Sequence, residues 1–324
     1  MGAAWSQSFF IPTPTITSEN CPDQTGRVFI VTGGYAGVGF ELCQILYEHN
    51  ATVYVAGRSQ SKASAAISKI KNGLPKSAGC LEFLHIDLMD LSSVKSGAEA
   101  FLAQRDRLDV LVNNAGVMYH GNAEPRHNEI HIGTNCVGPS LLYKLLLPIL
   151  TKTAASSPAG SVRVLWAGSL AVHVKSPKPG GMEVDEAGRP KDMDAMLTYG
   201  QTKVGNVFLA HTYSKMTPQT GVVHASFNPG SLNTELQRHW HGLGVIILEK
   251  CFLYPPIYGA YTELWAALTP ELTPDRSGAN VYPWGRFGSL PAGVEASLKE
   301  SSEGGTGLAA KFISWVDAQT ESYL

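Results

Sequence analysis

The chain has 324 residues, of which 44% are apolar and 16% charged, and its formal net charge is −2. The length supplies a large core, and the near-neutral balance excludes a general basic field that would gather nucleic acid. No run reaches the roughly 18 uncharged apolar residues needed to span a bilayer.

Taken in chain order, residues 1–25 are rich in Pro, Thr and Ser and read as an extended N-terminal arm. The arm lacks a basic region followed by a long apolar run, so it does not read as a secretory signal. It matches the myristoylation pattern at Gly2 and Ser6, which we take as a chance match in a loose tail, since one acyl chain anchors weakly. From Arg27 the pattern becomes regular. "RVFIV" predicts a buried strand, "VGFELCQILYEHN" a helix, "TVYVA" a second strand and "SKASAAISKIKN" a second helix. "LEFLHID" predicts a third strand, "SSVKSGAEAFLAQR" its helix, and "LDVLVNN" a fourth strand. One long helix is predicted over "EIHIGTNCVGPSLLYKLLLPILTKT". "SVRVLWAG" predicts a fifth strand, a helix runs through Tyr199, "GVVHASFN" makes a sixth strand, and "ANVYPWG" is a candidate seventh. Alternating strands and helices predict an α/β fold with a doubly wound parallel sheet, taken as one domain over residues 26–324. The five cysteines, Cys21, Cys43, Cys80, Cys136 and Cys251, are scattered and form no CxxC. They predict free thiols in a reducing compartment, here the cytoplasm.

Three local patterns carry chemistry. "TGGYAGVG", Thr32–Gly39, follows the first strand and opens the first helix, the context in which glycines let backbone approach a pyrophosphate at a helix N-terminus. After the second strand, where an acidic residue would bind the ribose of NAD, the chain carries Arg58 and Ser59. A guanidinium there suits a 2′-phosphate, so NADP(H) is expected. Asp87, followed by Leu88, is placed either to meet the adenine edge or to close a turn. Tyr199 and Lys203 stand four apart on a helix, hence on one face. The bland reading is an exposed surface pair; the other is a cation set beside a phenol to favour its ionised form.

The ordered set of TGxxxGxG at Thr32–Gly39, Asp87, "NNAG" at Asn113–Gly116, Asn135, Ser169, YxxxK at Tyr199–Lys203 and "NPGSLNT" at Asn228–Thr234 resembles a classical short-chain dehydrogenase/reductase. The Ser-to-Tyr interval and the tail "YPWGRFG…KFISWVDAQT" resemble fungal reductases near the retinol dehydrogenase branch. The resemblance implies a Rossmann-like sheet of seven strands in the order 3-2-1-4-5-6-7. It implies Asn135, Ser169, Tyr199 and Lys203 as catalytic residues. Thr32, Gly33, Gly37, Val38, Gly39, Arg58, Ser59, Asp87, Leu88, Asn114, Ala115, Gly116, Tyr199, Lys203, Pro229, Gly230, Leu232 and Thr234 would hold the cofactor. It implies homodimers or homotetramers, and a role in fungal secondary metabolism.

In that chemistry Tyr199 exchanges the proton, Lys203 tunes the phenol and binds the nicotinamide ribose, and Ser169 holds the substrate oxygen. Asn135 would organise a water linked to Lys203. The apolar, aromatic stretch over residues 235–273 reads as a substrate lid, and equally as a dimer interface or a patch in peripheral contact with a membrane. With "AVHVKSPKPGGMEVDEAGRPKDMDAML" at its rim, the pocket is expected to take a hydrophobic ketone or secondary alcohol. No GxSxG elbow occurs, and the scattered histidines, including "RHWH", lack a metal-site pattern. Two other functions fit the same motifs: reduction of a C=C bond, and an inactive nucleotide-binding scaffold.

Overall fold

Parallel strands covered on both faces read as continuous apolar runs, and "VFIVT" at Val28–Thr32 (β1) and "RVLWA" at Arg163–Ala167 (β5) are buried at every position. The computed structural model describes residues 2–118, 127–233 and 253–324. The other strands are Thr52–Gly57 (β2), Cys80–His85 (β3), Val110–Asn113 (β4), Val223–Phe227 (β6), Ala279–Tyr282 (β7) and Arg286–Phe287 (β8). Among the described residues they form one sheet in the order β3-β2-β1-β4-β5-β6-β7-β8. The first seven pair in parallel, as expected; β8 is an addition that folds back antiparallel on β7. Two residues are too few to show a period in sequence.

The helices are Gly2–Ser6 (α1), Gly37–Glu48 (α2), Gln60–Gly73 (α3), Leu91–Leu102 (α4), His127–Ile132 (α5), Gly138–Ala155 (α6), Ala171–Val174 (α7), Ala195–Met216 (α8), Pro256–Leu268 (α9), Ala292–Leu298 (α10) and Leu308–Thr320 (α11). One core lies between the sheet and α4, α6, α8 and α11, around Trp166, Phe208 and Phe312. The other lies between the sheet and α2 and α9, around Phe29, Leu42 and Trp265. Among the described residues, no helix is long and apolar enough to cross a membrane.

Two elements differ from expectation. The helix predicted over residues 129–153 is interrupted by a π-turn at Gly133–Val137 between α5 and α6. Pro139 has no N–H to return to the carbonyl of Asn135, so the α-helical ladder cannot run through unbroken. The N-terminal arm is not extended throughout: residues 2–6 form α1, and Gln7 is buried at 1% exposure.

Candidate active site

The glycine-rich turn joins β1 to α2 as its position predicts. Gly33 and Gly37 take positive φ values of 68° and 52°, a region that favours glycine. A Cβ on Gly39 would lie 2.6 Å from Asn114 Nδ2 and 2.8 Å from the Gly33 carbonyl oxygen. No side chain caps the first amides of α2, so they remain available to an anion. Thr32 and Asn114 face inward and tie β1 to β4. Ala115 N–H donates to Thr32 Oγ1 at 3.0 Å, and Asn114 Nδ2 donates to the Thr32 carbonyl at 2.7 Å. Val38, on the first turn of α2, is buried. Arg58 is exposed and forms no ion pair among the described residues, while Ser59 caps α3 through Lys62 N–H. Asp87 accepts from Met89 N–H at 3.0 Å, the turn-closing alternative, and Leu88 is buried beside Gly138.

The four residues expected to be catalytic come from three places in the fold: the π-turn, the end of β5 and α8. Asn135 is fully buried in the π-turn. Its amide donates to the Val117 carbonyl at 3.1 Å and to Thr202 Oγ1 at 2.9 Å, and its Oδ1 accepts from Val117 N–H at 2.8 Å. Ser169 follows β5; its Oγ accepts from Ala171 N–H at 3.1 Å, and its hydroxyl acts on the Tyr199 phenol. Asp194 accepts from the first amides of α8 and so fixes the start of the helix that carries Tyr199 and Lys203. Lys203 Nζ lies 5.5 Å from the Tyr199 ring centroid and donates to the Ala167 carbonyl at 2.9 Å. Gly116 is where two of these groups meet: a Cβ there would lie 3.2 Å from both Asn135 Oδ1 and Lys203 Nζ. His131, which the sequence reading did not single out, lies one turn before Asn135 and sets its ring edge-on to Tyr199 at 6.3 Å.

The electrostatics correct one expectation. Burial pushes the Tyr199 phenol above its ordinary range, with the Ser169 hydroxyl acting the other way. Lys203 turns to Ala167, and burial pushes its ammonium down to about 8. In the protein by itself burial therefore outweighs the lowering of the phenol expected from the lysine. The phenol holds its proton at neutral pH, and Lys203 keeps most of its charge there.

Past β6, Asn228 Oδ1 accepts from Gly230 N–H at 3.0 Å, and Gly230 takes φ 98° against the Trp284 ring. Pro229 lies within this turn, and Leu232 is buried in a bridge to Tyr254. Thr234 and residues 235–252 of the expected lid lie outside the described residues. A cavity of about 370 Å³ lined by Leu88, Ile132, Val137, Pro190, Thr198 and Trp315 contains none of Asn135, Ser169, Tyr199 and Lys203.

Residues 27–175 match the family model described as short chain dehydrogenase. A short-chain dehydrogenase/reductase from Phomopsis amygdali is 44% identical over 329 residues, covering 99% of this chain and 97% of the relative. The chain belongs to the short-chain dehydrogenase/reductase family. A second fungal member, bet4 from Neocamarosporium betae, is 39% identical and covers 100% of this chain and 94% of its own length. Among solved structures, the Pseudomonas aeruginosa RhlG/NADP active-site complex shares the fold with a TM-score of 0.62 at 22% identity, covering 80% of this chain and 94% of that one. An uncharacterised protein from Mycobacterium paratuberculosis gives a TM-score of 0.63 at 25% identity, covering 94% and 97%. Membership makes the chain one of a family of oxidoreductases, on a fold in which ligands bind beyond the carboxyl ends of the strands.

Proposed function

We propose that the chain is an NADPH-dependent reductase that moves a hydride between NADP(H) and a hydrophobic ketone or secondary alcohol. The observation that carries this reading is Tyr199 set beside Lys203 on α8, with the Ser169 hydroxyl acting on its phenol, while Lys203 and Asn135 meet at the side-chain-free backbone of Gly116. A dinucleotide fits the residues present: Gly33, Gly37 and Gly39 leave the turn open, and the α2 amides are uncapped. Arg58, exposed and free of a carboxylate partner among the described residues, is suited to the 2′-phosphate. Gly116, Lys203, Pro229, Gly230 and Leu232 would hold the nicotinamide end, and Asp87 and Leu88 the adenine side. The RhlG complex contains NADP, and a 3-ketoacyl-(acyl-carrier-protein) reductase from Brucella melitensis with the same fold contains NADH.

When bound, the cofactor supplies the hydride. Ser169 donates to the substrate oxygen and stabilises the charge that develops there. Tyr199, kept protonated by burial, gives its proton to that oxygen in reduction and takes one in oxidation. Lys203 holds positive charge beside the resulting phenolate up to about pH 8. Residues 26–324 act as one domain in this reading, and of the lid expected over 235–273, residues 256–268 form α9, which packs in the core against the sheet and α2 and does not cover a substrate.

Tyr199→Phe tests the reading. The variant should bind NADPH with wild-type affinity and lose turnover of a ketone probe such as trans-1-decalone by a factor of roughly 10² to 10⁴. Undiminished turnover would remove Tyr199 from the proton-transfer step.

A further inference from the structure

Gln7 stands well outside the segment that the family model matches, yet it is among the most buried polar residues of the chain. It is held on three sides. Asn228 Nδ2 donates to its Oε1 at 2.8 Å, and its own Nε2 donates to the Ala3 carbonyl at 3.1 Å and to His173 Nδ1 at 3.4 Å. These bonds belong to one chain with a single consistent direction. Tyr282 OH donates to the Ser289 carbonyl and therefore accepts from His173 Nε2–H at 3.1 Å. That assigns the His173 tautomer and leaves Nδ1 as the acceptor Gln7 requires. Burial lowers the His173 pKa, which keeps the ring neutral and the direction fixed. At the far end, Asn228 uses its remaining atom, Oδ1, to accept from Gly230 N–H. Arg286 anchors the arm from below by donating to the Ser6 carbonyl at 2.5 Å.

Gln7 thus joins two pieces that sequence separates widely: α7, which follows Ser169 directly, and the turn Asn228–Pro229–Gly230 after β6. We infer that Gln7 is a positioning residue, through which the N-terminal arm sets the Asn228–Gly230 turn against the nicotinamide end of the cofactor site. The inference rests on the reductase reading above. Gln7 touches neither Tyr199 nor Lys203 and acts only through Asn228 and His173.

The test uses the full-length protein and two ligands, NADPH and 2′,5′-ADP, the latter carrying only the adenosine end. Gln7→Leu keeps the bulk but removes the bonds, leaving Asn228 Nδ2 buried and unpaired. It should weaken NADPH binding by roughly tenfold, leave 2′,5′-ADP binding unchanged, and lower the melting temperature by only about 1–5 °C, the cost of the unpaired amide. Gln7→Glu supplies the rescue. The introduced carboxylate still accepts from Asn228 but can meet His173 only when the ring is protonated. Lys178, whose Nζ donates to the His173 carbonyl, and the N-terminal ammonium are the cations that oppose that protonation. NADPH affinity in this variant should approach wild type near about pH 6 and fall toward the leucine variant near about pH 9. Equal weakening of both ligands by Gln7→Leu, or none, would overturn the inference, as would a pH-independent Gln7→Glu. A wild-type protein that binds neither ligand would end the reductase reading and this inference together.

Discussion

Lys203 and Glu263 are buried ionisable groups on helices that cover opposite faces of the sheet, and they differ in what they touch. Lys203, on α8, donates to the Ala167 carbonyl and lies beside Tyr199 and Gly116. Glu263, on α9, is fully buried next to Cys43, and neither of its oxygens has a hydrogen-bond partner among the described residues. Burial pushes the lysine down to about 8 and raises the glutamate well above the ordinary carboxylate range. The same penalty therefore produces two outcomes. A group that gains a partner and faces a site keeps its charge near neutrality; a group packed among apolar side chains gives its charge up.

Removing the first group gives the largest effect. Lys203→Met should lower ketone reduction by roughly 10² or more while leaving the fold intact. Asn206 Nδ2 also donates to the Ala167 carbonyl, at 2.8 Å, so the acceptor stays paired. The variant should also be more stable near neutral pH, by about 1–3 kcal/mol. Because the folded pKa is depressed from 10.5 to about 8, the unfolded chain binds more protons in that window. Wild-type stability should rise with pH across it and the Met variant should lack the rise. Denaturant melts at several pH values read this directly. The wild-type reduction rate should in turn fall as pH climbs through about 8, where Lys203 loses its charge.

Arg58→Ala bears on the cofactor rather than on the reacting centre. NADPH affinity should drop by about one to two orders of magnitude, with NADH affinity unchanged, measured by titration of nicotinamide fluorescence. Glu263→Leu is the counterpart of the lysine variant and has the smallest functional effect. It should raise stability by about 1–3 kcal/mol with unchanged kcat and KM. The glutamate's folded pKa lies above its unfolded value, so its contribution is complete below about pH 4 and is lost as pH rises through the folded pKa. The Leu variant should abolish that decline. A fall in activity on this substitution would place Glu263 with Lys203 and break the contrast.

The local geometry around the glycine-rich turn and the Tyr199 helix was legible because its signals are local. The turn at Thr32–Gly39 directly follows a strand, and Tyr199 and Lys203 share a helical face by spacing alone. The strand order β3-β2-β1-β4-β5-β6-β7 followed from the alternation of strand and helix together with the family resemblance. What escaped depends on contacts distant in sequence. Gln7 sits in a polar tail with no periodicity, and only the folded chain brings it to Asn228 and His173. Glu263 reads as one polar residue in an amphipathic helix, and nothing in "TELW" announces that it faces α2. The break at Gly133–Val137 did leave a cue, in Gly133, Gly138 and Pro139, but the apolar spacing continues across it and conceals the change of pitch. Thr32 and Ser59 were expected as ligands to the cofactor, and each makes a bond within the protein that its sequence position does not reveal, whereas Asp87 makes the turn-closing bond weighed for it.

A crystal structure of the full chain with NADP bound tests the central claim most directly. The account predicts Tyr199 Oη and Lys203 Nζ within about 3 Å of the nicotinamide ribose, with Ser169 Oγ facing the same end of the ring. A nucleotide seated elsewhere, or with its nicotinamide turned away from Tyr199 and Ser169, would contradict it.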